Sequence, residues 1–490
     1  MSQPYTTVIG LEVHVQLATA TKLFCRCSTA FGAAPNTQTC PVCIGMPGAL
    51  PVMNRQAYQL ALQTAVALNC TVPEFTKWDR KQYYYPDLPK GYQISQFDLP
   101  MSSDGALDIA DSKDRFPPRR VGIIRAHLEE DAGKSVHDEH AGRADSEIDL
   151  NRTGTPLLEI VTQPDMRSSA EAKAFLTELK LLLTYIGVSD CNMQEGSLRV
   201  DANVNLHIDV EGRKAATPIV EIKNMNSFRA VERAIEHEAS RQFAEWQETG
   251  RTLGEAPKQT RGWDDAAGVT LAQRSKEESS DYRYFPDPDL VPVATTEAEV
   301  AAVRDALPEL PAALRQRLHD DYELSHYDAE VLVNQGRAVV DYFLTVADRT
   351  KDYKAACNWV TQHVLRELKD REQSIESFGL AAPAVAELIE AINAGVLPST
   401  RAAEAFQLMV AQGCDVAAAL AELKIERVDE SALVALVQEL LAGNPKTVAD
   451  IKAGKLQAAG ALIGQAKKRN PNVDPTRVRD LGIEIARTMP

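Results

Sequence analysis

Four cysteines stand close together near the start of the chain: Cys25 and Cys27, then, after twelve residues, Cys40 and Cys43. C-x-C followed by C-x-x-C suits a closed, tetrahedral four-sulfur zinc site, which organises a loop and does no chemistry. The segment between the pairs, 28–39, is rich in Ala, Thr, Asn and Gly and cannot form a core. A structural zinc would hold it shut, supplying on the order of 10 kcal/mol of folding free energy. A disulfide pair or idle thiols are the alternatives.

A second group of residues is suited to catalysis. Three runs are dense in acidic and amide groups with Arg, Lys and His among them: 125–135, containing His127, Glu129, Glu130 and Asp131; 149–159, containing Arg152 and Glu159; and 221–227, containing Lys223. Oxygen ligands with one His suit magnesium or manganese, and neighbouring Arg and Lys suit phosphate oxygens. Carboxylates gathered so densely repel one another unless cations sit among them. The alternative is a structural ion-pair face. Gly133-Lys134-Ser135 is not the end of a P-loop, because Leu128 stands where that motif needs Gly. Two turns interleave aromatic rings with cations: Lys81 to Tyr92, including Tyr83, Tyr84 and Tyr85, and Asp281 to Pro288, including Tyr282, Arg283 and Tyr284. Such rings stack on bases or on a terminal adenosine, or pack the loop with each other.

The elements that must carry these groups are legible as strands. Ile9 to Leu17 alternates: Ile9, Leu11, Val13, Val15 and Leu17 share one face, Glu12, His14 and Gln16 the other. Leu198 to Ile208 alternates likewise, with Arg199, Asp201, Asn203, Asn205 and His207 on its polar face. Shorter strands are expected at 123–128, 157–162 and 219–223. Ser168 and Glu171 read as a capping box opening a helix to Ile186, and a second long helix is expected from Phe228 to Gln247. Strands clustered with a few long helices predict an antiparallel α+β domain. From Glu297 the pattern turns helical, broken at Pro308, Pro311, Pro383, Pro398 and Pro445. Helical periodicity persists over Ala417–Leu441. The expected division is 1–292, an α+β cradle around an antiparallel sheet with flanking helices and the zinc-bound loop; 293–408, all-α; and 409–490, a small helical tail.

With 490 residues, 44% hydrophobic and 25% charged, the chain reads as a folded soluble protein of two to four domains. Its remaining cysteines are scattered singly, as in a reducing compartment. With no membrane-length apolar run and no signal-peptide pattern, it is expected to be cytoplasmic. The net charge of −16 argues against non-specific nucleic-acid binding by the whole surface. Residues 441–490, however, hold nine Lys or Arg against four Asp or Glu.

Taken in order, the motifs resemble a known family. Ile9-Gly-Leu-Glu12-Val-His14-Val-Gln16, the four cysteines, the Lys81–Gly91 turn, His127-Leu-Glu129-Glu130-Asp131, Asn151-Arg152-Thr-Gly-Thr-Pro156, Arg199-Val-Asp201-Ala-Asn203, Lys223-Asn224-Met-Asn226 and Tyr282-Arg283-Tyr284-Phe285-Pro286-Asp287 are similar to the B subunits of tRNA-dependent aspartyl/glutamyl-tRNA(Asn/Gln) amidotransferases. The resemblance spans essentially the whole chain, with a YqeY-like tail. It implies a protein that binds misacylated glutamyl-tRNA(Gln) or aspartyl-tRNA(Asn) and phosphorylates the side-chain carboxylate with ATP. Ammonia from a separate amidase, the A subunit, then gives the amide, and a small C subunit completes a heterotrimer. Consistent with that division, Gly413-Cys414 lacks the G-x-C-x-G of a Cys glutaminase. By motif, Glu12, His14, Glu129 and Glu130 are expected at the magnesium and acyl-phosphate site, joined by Glu159. Lys81, Arg152, Arg199, Asp201 and Lys223 are expected around phosphate, carboxylate or the ammonia exit. Cys25, Cys27, Cys40 and Cys43 correspond to the family's zinc site, and Lys467, Lys468 and Arg469 to a tRNA contact. A non-catalytic zinc-stabilised RNA-binding protein and an ATP-dependent small-metabolite ligase are the competing readings.

Overall fold

The computed structural model describes residues 5–111, 113–137, 146–210, 212–273, 281–426 and 429–489. They fall into two compact units, residues 1–313 and 314–490.

The first unit is built on a nine-stranded sheet. Tyr5–Gln16 lies in its middle, antiparallel to Leu198–Val210 on one side and to Pro156–Thr162 on the other. Beyond Pro156–Thr162 come Arg119–Glu130 and the edge strand Ser102–Ile109. Beyond Leu198–Val210 come Val220–Lys223, Gln259–Asp264 and Val269–Ala272, with Arg213–Ala216 also paired to Leu198–Val210. The alternation at 9–17 sorts as expected. Ile9, Leu11, Val13 and Val15 are buried in one core with Phe175 and Leu179 of the helix Ser169–Tyr185 and Val231 and Ile235 of the helix Phe228–Thr249. Each such side chain stabilises by about 2 kcal/mol. A slip of one residue would turn the whole set outward, so the register of the polar face is fixed by the apolar one.

The expectation of a purely antiparallel sheet needs one correction. Val220–Lys223 and Gln259–Asp264 pair in parallel. A parallel pair needs a long crossover, and the helix Phe228–Thr249 lies between them in the chain. That helix runs two residues past its expected end and is closed by Gly250 at φ 67°. The capping box at Ser168 forms only in half. Ser168 accepts from the Glu171 N–H at 3.2 Å, but the Glu171 carboxylate accepts from the Arg167 N–H at 2.8 Å and pairs with Arg119 at 2.9 Å. The same oxygen, Oε2, takes both the Arg167 N–H and the Arg119 guanidinium, so it is turned away from the Ser168 N–H.

The helix Glu297–Ala306 belongs to the first unit, where Val300 and Val303 pack against its core. The second unit is helical throughout its described residues. Its prolines start helices rather than merely breaking them: Pro383 and Pro445 sit in first turns, and Pro398 precedes Ser399–Gln412. The run expected over Ala417–Leu441 resolves into Val416–Glu422 and Glu430–Ala442, with residues 427 and 428 outside the described set. Leu433, Val437, Leu462, Val478 and Leu481 form a small core of the tail. Among the described residues, no helix is long and apolar enough to cross a membrane.

Gly105, on the edge strand, abuts the Leu68–Cys70 turn. A Cβ there would lie 2.3 Å from Cys70 Sγ and 2.9 Å from the Leu68 carbonyl oxygen. Gly105→Ala is therefore expected to cost about 1–3 kcal/mol, read as a lower urea midpoint. An unchanged midpoint would show that the turn moves aside freely.

Candidate active site and cysteine loop

Directly opposed residues on neighbouring antiparallel strands point to the same side of a sheet. The register His14↔Arg199, His14↔Glu159 and Glu159↔His127 therefore puts Arg199, His14, Glu159 and His127 in one row across four strands. Glu129, two residues beyond His127, faces the same way. His14 Nε2 lies 3.4 Å from Glu159 Oε2 and 3.5 Å from Glu129 Oε1. His127 Nε2 lies 3.5 Å from Glu159 Oε2. One ligand atom from each of His14, Glu129 and Glu159 falls within 4.8 Å of the other two.

The cluster is buried, and burial divides its charges. Burial lowers His14, but a hydrogen bond to Glu159 and the charge of Glu129 outweigh it, raising the imidazole to about 9. Burial pushes His127 down to about 4, so it stands neutral at pH 7. Glu129 is pushed up to about 7, by burial and then by the charge of Glu159. Glu159, although buried, is held below the usual carboxylate range by the imidazoles and Lys81. Two carboxylates and an imidazole sharing protons in this way form a donor set that a hard divalent cation can take over.

Cations ring the cluster. Lys81, on the short strand Asp79–Gln82, has its Nζ 4.9 Å from the Tyr282 ring centre. Burial lowers its ammonium pKa, but Glu129, Tyr284 and Glu159 raise it by more. Arg199 Nη2 is held 2.9 Å from Asp131 Oδ2, and Arg152 Nε 3.4 Å from the same oxygen. Arg152 also donates to the carbonyls of Ala132 and Gly133 at 3.0 and 2.7 Å. Lys223 pairs with Asp201 and, at 3.1 Å, with Glu221.

Two expected members are engaged elsewhere. Glu130 follows Glu129 on the strand, and its carboxylate pairs with Lys90 and accepts from the Ile94 N–H at 3.0 Å. Glu12 shares the face of His14 one row along, where its Oε1 accepts from Asn203 Nδ2 at 2.9 Å.

The four cysteine sulfurs lie within 4.8 Å of one another, and none is in a disulfide. Zn–S bonds of about 2.3 Å at tetrahedral angles put sulfurs about 3.8 Å apart, so the cluster fits such an ion with little adjustment. Hydrogen bonding from Cys25 pulls the Cys43 thiol down to about 5 against burial, with help from Lys22. Lys22 itself is fully buried and donates to the Gln38 carbonyl at 2.8 Å. A buried lysine beside the sulfurs would offset half of the net −2 of a zinc tetrathiolate.

Comparison with known proteins gives the family. A model described as the GatB/GatE catalytic domain matches residues 7–301, and one described as the GatB domain matches 341–484. The B subunit of the aspartyl/glutamyl-tRNA(Asn/Gln) amidotransferase of Rhodopirellula baltica is 59% identical over 99% of this chain and 98% of its own length. The B subunits of Moorella thermoacetica and Thermomicrobium roseum are 47% and 46% identical, each over 95% of this chain and at least 95% of their own. The chain belongs to the family of amidotransferase B subunits. The full-length match to these relatives leaves the metabolite-ligase reading without support.

Two residues of this B-subunit family member have places that their motifs do not announce. His127 sits in the same row as His14, although the motifs present it only as part of its run. Asp131 is the shared partner of two expected arginines, Arg152 and Arg199. Strand alternation signals the first, since His127 and Glu129 are two apart. No local pattern signals the second.

Proposed function

We propose that this chain binds misacylated glutamyl-tRNA(Gln) and/or aspartyl-tRNA(Asn), phosphorylates the side-chain carboxylate with ATP, and amidates it with ammonia delivered by a glutaminase partner, the A subunit. A small C subunit completes the assembly, which works in the cytoplasm. The observation that carries this reading is the meeting of His14, Glu129 and Glu159 on one sheet face, beside Lys81 and Arg199.

A carboxylate resists ammonia because its leaving group would be oxide. Phosphorylation supplies a leaving group, and the enzyme's task is to stabilise charge on the transferring phosphoryl oxygens. A bound magnesium or manganese ion would supply two positive charges for this, held by His14, Glu129 and Glu159, with Glu12 one row away. Lys81, facing Glu129 and Glu159, and Arg199, beside His14, add fixed positive charge. Asp131 positions Arg199 and Arg152. Asp201 and Glu221 hold Lys223 at the outer end of the same face. Glu130 supports the fold beside the site through Lys90. The cysteine loop takes a structural zinc. The expected division at 292 and 408 remains our reading of the domain plan, with residues 409–490 as a tRNA-contacting tail.

The test is amidation by the chain co-purified with A and C subunits. With glutamyl-tRNA(Gln) or aspartyl-tRNA(Asn), ATP and ammonium, amidated tRNA and ADP are expected together. Tight tRNA binding with no ADP release would favour a non-catalytic tRNA-binding role. Lys467 and Lys468 close the helix Gly460–Arg469, whose Arg469 is paired with Glu439 at 2.7 Å. Replacing both lysines with Ala is expected to weaken tRNA affinity and lower its log–log salt slope by about 1 per lost phosphate contact. An unchanged slope removes this helix end from the interface.

A further inference from the structure

The two aromatic turns converge in space. Phe285–Pro286 pairs with Asp79–Gln82, and the Gln82 N–H donates to the Tyr282 carbonyl at 2.9 Å, which carries the second turn alongside the first. Between them opens a cavity of about 550 Å³, lined by Lys81, Tyr83, Tyr84, Asp281, Tyr282 and Arg283 among others. The rings order one another: Tyr83 and Tyr282 meet edge to face at 6.0 Å, and Phe97 stacks on Tyr284 at 4.1 Å. Tyr84 is 82% exposed.

Lys81 joins this cavity to the carboxylate cluster. Its Nζ lies over the Tyr282 and Tyr83 rings at 4.9 and 5.9 Å and makes no ion pair within 4.0 Å among the described residues. A cation held by ring faces rather than by a carboxylate stays available to an incoming anion. A planar, uncharged ring bearing an anionic tail fits this combination: π-faces and a flexible exposed tyrosine for the ring, Lys81 and Arg283 for the tail. Stacking of this kind accepts any base face.

We propose that the trough between the two turns binds an adenosine, its base against Tyr84 and Tyr282 and its phosphate side toward Lys81. The inference rests on the proposed function, which offers two sources of one chemistry: ATP itself, and the 3′-terminal adenosine that carries the amino acid on tRNA. Neither Tyr84 nor Tyr282 belongs to the acid–base cluster, so the trough positions a substrate and takes no part in bond making.

The experiment measures equilibrium binding to the co-purified complex, so it remains readable even where the amidation assay fails. Tyr84→Ala, Tyr282→Ala and the conservative Tyr282→Phe are compared for ATP and for uncharged tRNA, with melting temperature as the control for folding. Losing one base–ring stack is expected to weaken the bound adenosine about 10- to 100-fold, with Phe restoring the Tyr282 effect. Weakening of ATP alone assigns the trough to ATP. Weakening of tRNA alone, matched by a tRNA ending in a pyrimidine on the unaltered protein, assigns it to the terminal nucleoside. Both ligands binding each folded Ala variant as tightly as the parent would overturn the proposal.

Discussion

Glu129→Gln is expected to lower ATP-dependent amidation at least about 100-fold, the scale on which one positioned charge-stabilising group acts, while tRNA affinity stays within about twofold. Glu130→Gln, one residue along, is expected to cost stability first. Glu129 points into the row with His14, Glu159 and His127, where its oxygens lie 3.5 and 4.0 Å from the two imidazoles. Gln keeps the shape and removes the charge that a divalent cation needs. Glu130 is buried against Lys90, itself 5% exposed at the side chain, and its carboxylate also accepts the Ile94 N–H. Neutralising Glu130 strands a buried ammonium, a loss of about 3–5 kcal/mol where one partner of a buried pair is removed. The paired measurement is single-turnover ADP release against melting temperature. Full turnover in Glu129→Gln would refute the cluster as the chemical site. An equal melting loss in both variants would refute the division of labour between them.

That contrast also shows what a sequence carries and what it does not. The two long alternating strands, their polar faces and both long helices are legible, because period-2 and period-3.6 patterns report burial directly. Motif order groups Glu129 with Glu130, while strand alternation turns consecutive residues to opposite sides. Motif order attaches Glu159 last to the acidic set, yet the register puts it directly beside His14. Register is set by the pairing of segments far apart in the chain, and no local pattern encodes it. The parallel pair at Val220–Lys223 and Gln259–Asp264 is hidden for the same reason. The anchoring of Arg152 and Arg199 on Asp131 joins three segments and appears only when the sheet is assembled. The cysteine cluster is the most legible feature, because short spacings alone bring its sulfurs together.

Removal of the cysteine-bound metal is expected to open the loop without dissolving the sheet. Residues 28–54 contain no charged side chain and almost no regular hydrogen bonding. The loop is tied down at its ends, where the Leu23 N–H donates to the Gly154 carbonyl at 2.9 Å and the Asn54 N–H to the Leu23 carbonyl at 2.7 Å, and midway, where the Asn36 N–H donates to Asp149 Oδ1 at 3.0 Å and Asn151 Nδ2 to the Ala34 carbonyl at 2.7 Å. Phe24 meets Trp78 edge to face at 5.1 Å. Between these ties Phe31, Met46, Leu50 and Val52 are exposed, so little apolar burial opposes the entropy of release, about 1–2 kcal/mol per backbone residue. Metal binding on the order of 10 kcal/mol is what offsets it. One zinc per chain is expected by elemental analysis of the purified protein, and Cys43→Ser is expected to lose it. That variant is expected to gain protease cleavage within 28–54 and to lose tRNA-dependent ADP release, because the same loop leans on Asn151 and Gly154 beside Arg152: the Gln38 N–H donates to Asn151 Oδ1 at 2.8 Å. The loop meets the sheet core only along its flanks, through Leu23, Phe24 and Trp78 with Val42 and Met53 packed alongside, so the core's urea midpoint should shift less than the loop's protease resistance. Metal-free protein with an uncut loop and full activity would mean that the four sulfurs gather for packing alone.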